Sequence, residues 1–292
     1  MEITLSETEG QVVFESWREF VNYADTTLSD MPEDKRQSRE LGKMECDSPL
    51  TPYWHGASKT WEEAVQLAKG GWMEGSRAIE SQFLELVLPV EDTKMESVFS
   101  VTGPGTLALG RYVEGHPKSW LTRRRTPITT GAENTRGVIK MAVNISQSAV
   151  VSAYSRFQVG AAILALIETL ERNYRRVELM FCNAIRGGRV GSIRVGTVVK
   201  RADEPFNLAT LAYAFANTAT QRRLCFSVRE SLPLSVRRPC GVVPGGGYGS
   251  TDSRWIPDGY QGIPGLGNVN LTDKESVGDW VKQTVAQLGR GE

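Results

Sequence analysis

Three small polar residues stand two apart in "VNISQSA", residues 143–149: Asn144, Ser146 and Ser148. An apolar run, "VIKMAV", precedes them, and a long apolar segment begins just after. Carboxamide and hydroxyl oxygens at the end of a buried strand can ligate a hard cation or hydrogen-bond a ligand. A second chemistry is offered by Trp120 with Arg123, Arg124 and Arg125, in the basic loop "LTRRRTPITT". Guanidiniums can grip a phosphate backbone while a neighbouring aromatic ring stacks on a base. "RNYRR" (172–176) and "QRR" (221–223) add further arginines. All of these also fit solvated turns and helix ends, where arginine complements the helix dipole.

Other chemistries have weaker sequence support. Gly245, Gly246, Gly247 and Gly249 resemble a phosphate cradle but lack its lysine, and no helix pattern opens directly after them. They read as surface loop. The adjacent acids Asp203 and Glu204 could hold a metal for hydrolysis, yet nothing else in the sequence converges on them. The two histidines, His55 and His116, both stand beside glycine in loop-like contexts. The four cysteines form no CxxC pair, which argues against zinc and against a disulfide framework. Cys182 and Cys225 lie in apolar runs and read as small core residues.

Lys+Arg and Asp+Glu are both 34, so no global field draws the 292-residue chain to nucleic acid or to an anionic membrane. Hydrophobic residues at 40% provide for a substantial core. The N-terminus lacks the basic and apolar regions of a signal peptide, and no apolar window is long enough to span a bilayer. The expectation is a soluble protein of a reducing cytoplasm with no membrane partner.

The elements that must position these residues follow from periodicity. Residues 12–24 carry Phe14, Trp17, Phe20, Val21 and Ala24 at helical spacing. Residues 29–52 are charged and turn-rich, a loop. Thr60 and Glu63 have capping-box spacing, and Gly70 and Gly71 stop the helix they begin. Residues 83–101 suit short strands. From 138 the pattern becomes regular: a buried strand (138–144), one long buried helix (152–175) and a strand (176–185). An alternating edge strand (192–201), a helix (206–217) with Asn207 as cap, and a strand (222–230) follow. Residues 237–270 are a Gly-rich loop with one last short strand, and 272–289 form an amphipathic helix. Strand–helix alternation predicts a parallel-rich sheet with helices on both faces.

The order of strand, small polar loop, long helix, strand, antiparallel strand, helix and strand resembles a von Willebrand factor type A domain. "NISQS" (144–148) stands at that family's Asp-x-Ser-x-Ser metal site. The resemblance covers roughly 135–289. It implies an α/β fold with an open, mostly parallel sheet flanked by helices, preceded by an α+β N-terminal region (1–134), with the type A-like domain at 135–292. It implies Mg²⁺ as the ion of an intact site. Here the site is degenerate: Asn144 replaces the first acid, "RADEPFNLATL" lacks the family's Thr before the helix, and "LCFSVRES" lacks its final Asp. No cofactor is therefore expected, and the serines are left to cap the long helix.

The whole chain also resembles a family of proteins found in bacteriophages and mobile elements, through "FESWREFVNYA", "TWEEAVQLAKGGWMEG", "GRYVEGHPKSW", "AAILALIETLERNYRRVEL" and "VVKRADEPFNLATLAYAFA". That resemblance implies a viral origin, in the host cytoplasm or in the virion. The expected function is a non-enzymatic binding or assembly protein, with a protein partner or self-assembly. The alternatives are a nucleic-acid-binding protein of replication or packaging and, last, a metal-dependent enzyme.

Overall fold

Ser16 ends one element and begins another. Its hydroxyl accepts a hydrogen bond from Glu19 N at 3.2 Å, capping helix α1 (Trp17–Ala24). The residues before it, including Val12 and Phe14 of the expected helix, are instead strand β2 (Glu9–Phe14). The apolar positions of 12–24 thus serve two periods: alternation up to Phe14, then a helical face of Trp17, Phe20, Val21 and Ala24. The computed structural model describes residues 1–25, 58, 60–83, 93–101, 106–127, 138–148, 153–172, 176–188, 191–243, 248–263 and 274–289. All of 29–52, with Cys46, and also His55 and glycines 245–247 lie outside them.

Two compact units divide the chain. Met1–Val87 and Val138–Glu292 form one, and Leu88–Gly137 form the other. In the smaller unit β5 (Trp120–Pro127) lies between β3 (Thr93–Ser100) and β4 (Thr106–Leu107), antiparallel to both, and a short helix, α4 (Leu109–Val113), follows β4.

The larger unit holds a mixed seven-stranded sheet flanked by helices. β1 (Glu2–Leu5) and β2 pair antiparallel. β2 then pairs in parallel with β8 (Gly191–Lys200), and β8 is antiparallel to β7 (Val177–Gly187). β6 (Ile139–Asn144) is parallel to β7, and β10 (Gln261–Gly262) is parallel to β6. β9 (Ser250–Thr251) pairs with Ile185 and Arg186, extending the edge of β7 that β6 leaves free. β8 is not the edge strand its charges suggested. β2 covers its free side from Ser192 to Thr197, and nine of its ten residues are buried.

One face of the sheet presents Val13, Ala142, Met180, Cys182 and Val198 to Trp255, Ile256 and Tyr260. On the other, Phe181 meets Trp17, Phe20 and Phe215 with ring centroids 6.0–6.4 Å apart. Helix α2 (Trp61–Gly70) begins at Thr60, whose hydroxyl accepts from Glu63 N at 3.2 Å as expected. α3 (Met73–Phe83) follows. Trp17 Nε1 donates to Ala68 O at 2.8 Å and ties α1 to α2. α5 (Ala153–Arg172) is buried throughout residues 161–167, as its all-round apolarity requires. α9 (Lys274–Gly289) packs on α5 and buries Val277, Trp280 and Val281.

α6 (Leu208–Ala216) starts at Asn207, whose side chain accepts from Thr210 N at 3.2 Å. It crosses α5 so closely that a Cβ added to Gly160 would lie 2.5 Å from Ala216 Cα. The small residues of α5 therefore serve helix–helix contact as well as contact with the sheet. Gly160→Ala is expected to cost about 1–3 kcal/mol, because backbone rather than a side chain must move. A lower urea midpoint at unchanged slope would register it.

The largest departure from expectation is at 222–230, which is not a strand. Thr220–Cys225 form a π-helical segment that runs into α7 (Phe226–Glu230), and every residue from 211 to 232 is buried. The sequence reads it as a strand, but the N-terminal region holds it as helix. Ser227 Oγ donates to Ala24 O at 2.8 Å, Arg223 Nη2 donates to Ser58 O at 3.2 Å, and Tyr23 and Ser231 share a 2.8 Å hydrogen bond. A short helix, α8 (Leu234–Arg237), continues into a 3₁₀ turn at Arg238–Cys240. That turn lies directly on β7: a Cβ on Gly187 would fall 1.9 Å from Pro239 O.

Candidate functional site

β6 ends at Asn144, and the chain turns toward α5 through Ile145, Ser146, Gln147 and Ser148. Asn144 Nδ2 donates to Asp252 O at 3.0 Å and to Trp255 O at 2.8 Å. Its Oδ1 accepts from Ser146 N at 2.9 Å. Ser146 Oγ accepts from Ala184 N of β7 at 2.7 Å. The carboxamide therefore clamps the loop before β10 to the end of β6, and the Ser146 hydroxyl ties the turn to β7 rather than capping α5. Ser148 is exposed, and its carbonyl lies 3.5 Å from Arg222 Nη2. The three positions come together, but two are occupied in holding backbone.

Gln147 and Gln221 link this turn to the helical stretch behind it. Gln221 Nε2 donates to Gln147 O at 3.0 Å. Arg156, on the first turn of α5, donates Nε to Gln147 Oε1 at 3.0 Å and Nη2 to Ile145 O at 2.9 Å and to Gln221 Oε1. A cleft of about 280 Å³ is lined by Asn144, Ser146, Gln147, Arg156, Phe215 and Ile256, among others. A second, of about 510 Å³, shares Gln147 and is lined also by Ser148, Gln221, Arg222, Arg229, Tyr248 and Thr251.

Arg229 is anchored by Nη2 donating to Asn183 Oδ1 and Nη1 donating to Tyr248 O at 3.4 Å. Its guanidinium lies 5.4 Å from the centre of the Phe226 ring, and Phe226 stacks on Tyr248 at 3.7 Å. Tyr248 OH in turn donates to Glu230 Oε1 at 2.9 Å. Arg156 and Arg229 are each only 1% exposed, and neither forms an ion pair among the described residues. Arg156 Nη1 and Arg229 Nε are buried without a hydrogen-bond partner. Burial pulls Arg156 down to about 9, with the Arg222 charge adding to the effect, and pulls Arg229 down to about 10. Both remain cationic at neutral pH.

The thiols beside these groups are not nucleophiles. Cys182 and Cys225 are fully buried, as expected of core residues, and burial pushes Cys225 up to about 12 and Cys182 further still. Asp203 and Glu204 are exposed, and Glu204 caps a turn by accepting from Arg201 N at 2.9 Å. His116 is exposed, 3.5 Å from Glu114. Among the described residues, no three His, Cys, Asp or Glu side chains gather closely enough to hold a metal ion.

Arg123, Arg124 and Arg125 do not form a loop. They are consecutive residues of β5, opposite Ser97, Glu96 and Met95 of β3, whose antiparallel pairing gives their backbone groups partners on that side. Trp120 begins the same strand, half-buried, opposite Ser100 and Leu107. Arg222 and Arg223 of "QRR", read as further arginines for a phosphate backbone or as solvated turns and helix ends, are instead 3% and 1% exposed.

The reading of 222–230 as strand hid the cleft-lining residues Arg222, Phe226 and Arg229. Their spacing of four and three is helical and puts them on one face. That was the available signal, and the apolar residues between them masked it. A π-helical turn beside the cleft is common near functional sites.

Among the described residues no helix is long and apolar enough to cross a membrane. No curated protein and no solved structure matches the chain. Residues 4–277, which include every strand and helix that builds the two clefts, match the family described as a domain of unknown function, DUF7192, and the chain belongs to that family.

Proposed function

We propose that the protein is a non-enzymatic binding or assembly protein, in a bacteriophage or mobile element, that receives its partner at the carboxyl end of β6 and β7. The observation that carries this reading is the state of the turn at 144–148. Its chemically capable side chains, Asn144 and Ser146, hold backbone, while the turn borders two clefts walled by amide, hydroxyl and guanidinium groups. Ligands of open α/β sheets gather at this end of the strands. A degenerate type A-like frame is supported by the order β6, polar turn, α5, β7, antiparallel β8 and α6. The departure is at 222–230, where helix stands in place of the next strand. The phage setting rests on the sequence resemblances alone.

A photoreactive side chain placed at the exposed Ser148 tests this directly. It is expected to capture a discrete partner from producing cells that the same group at exposed Lys282 of α9 does not. If the two positions capture the same proteins, or none, the mouth is not the contact surface.

A further inference from the structure

We infer that the smaller cleft, at the carboxyl end of β6, binds a small carboxylic acid with an apolar body, whose carboxylate accepts from Arg156 Nη1 and from the Ser146 hydroxyl. The inference rests on the reading of this end of the sheet as a binding mouth and names a ligand class for it.

Polar groups inside a protein normally have hydrogen-bond partners. Arg156 lines the cleft and is 1% exposed. Its Nε donates to Gln147 Oε1, and its Nη2 donates to Ile145 O and Gln221 Oε1. These bonds fix the plane of the guanidinium, and so the place of Nη1, which has no partner. Ser146 lines the same cleft and uses its Oγ to accept from Ala184 N at 2.7 Å. That bond leaves the hydroxyl proton to be given, and no acceptor takes it among the described residues. Ile145, which receives Arg156 Nη2, directly precedes Ser146, so the guanidinium sits against the turn that carries the hydroxyl.

The side-chain acceptors nearby are already used. Asn144 Oδ1 accepts from Ser146 N, and Gln147 Oε1 accepts from Arg156 Nε. Among the described residues that line the cleft, none is acidic. The ligand group must therefore accept hydrogen bonds without donating any. A carboxylate does so, and its bond from a guanidinium is charge-assisted. A carboxamide would turn N–H groups toward these donors, and phosphate carries more oxygens than two donors can serve. Val159, Phe215, Ile256 and Ile263 wall the rest of the cleft, which suits a branched or aromatic hydrocarbon. A volume of about 280 Å³ admits a compact acid.

The test uses the full chain at neutral pH and constant ionic strength, with isovalerate and benzoate as probes. Isovaleramide, inorganic phosphate and chloride are the comparisons. About 10 mM of either acid is expected to raise Tm by at least about 3 °C, and NMR is expected to show saturation transfer from the protein to the acid. Isovaleramide and phosphate are expected to give less than about a third of that shift. Arg156→Met is expected to weaken binding about tenfold or more. Ser253→Glu, a change at an exposed residue that places a carboxylate at the cleft, is expected to do the same without touching the core. It decides the matter if Arg156→Met does not fold.

A response to isovaleramide or phosphate equal to that for the acids overturns the ligand class. Acid binding that survives Ser253→Glu, or that survives Arg156→Met in folded protein, overturns the site. If neither acid has an effect while Ser148 still captures a partner, the inference falls and the binding reading stands. If the acids bind as expected and Ser148 captures nothing, the cleft is a small-molecule site and the partner contact falls. If both fail, both fall.

Discussion

Asn144→Asp is expected to destabilise the protein by about 3–4 kcal/mol, although it restores the acid that a type A metal site would carry. The reason is the direction of the hydrogen bonds. Asn144 Nδ2 is a donor to two carbonyls, Asp252 O and Trp255 O. A carboxylate has no proton to give. Both carbonyls would lose their partner and face a negative oxygen, and only the bond from Ser146 N to the remaining oxygen would survive. The loop that carries Trp255 onto the sheet would loosen with it. Urea unfolding should show a lower midpoint at unchanged slope. Adding Mg²⁺ is the decisive second arm. If it returned the variant to wild-type stability, position 144 would be a latent metal ligand and not a clamp.

Phe181→Ala is expected to cost about 3–5 kcal/mol, the range for emptying a fully buried aromatic site. Phe181 is completely buried in β7 and touches Trp17, Phe20 and Phe215, so one ring joins the sheet to both α1 and α6. Those neighbours belong to two separate helices and cannot all move inward to fill the space. Asn183, two residues on and on the same face of β7, anchors Arg229. The variant should therefore lose near-ultraviolet circular dichroism as well as stability. Phe181→Leu, which keeps much of the volume, should retain most of both. A Phe181→Ala midpoint within error of wild type would mean that the ring does not bridge the layers as described.

Much of the architecture was written locally. Thr60 and Asn207 begin their helices through bonds to residues only three positions on, so a short window of sequence contains the whole interaction. α5 could be read as buried because its apolar residues leave no polar face for water. Cys182 and Cys225 could be read as core from their apolar neighbours. The turn at 144–148 was found as the mouth of the sheet by the same local reasoning.

What the residues in that mouth do was decided by partners far away in the chain. Asn144 bonds residues more than 100 positions later, and Ser146 bonds β7. Whether 222–230 became strand or helix depended on Ala24 and Ser58, which hold it from the N-terminal region. β8 left the edge of the sheet because β2 paired with it. Arg156 and Arg229 are charged residues that any local rule places in water, and only packing shows them enclosed, with Arg156 Nη1 and Arg229 Nε left without a hydrogen-bond partner. The sequence by itself determined which segments could be helices and which faces were apolar, because capping and periodicity act within one or two turns. The tertiary structure alone decided strand neighbours, hydrogen-bond direction at Asn144 and the burial of the arginines, because these depend on contacts between residues that the chain brings together only by folding.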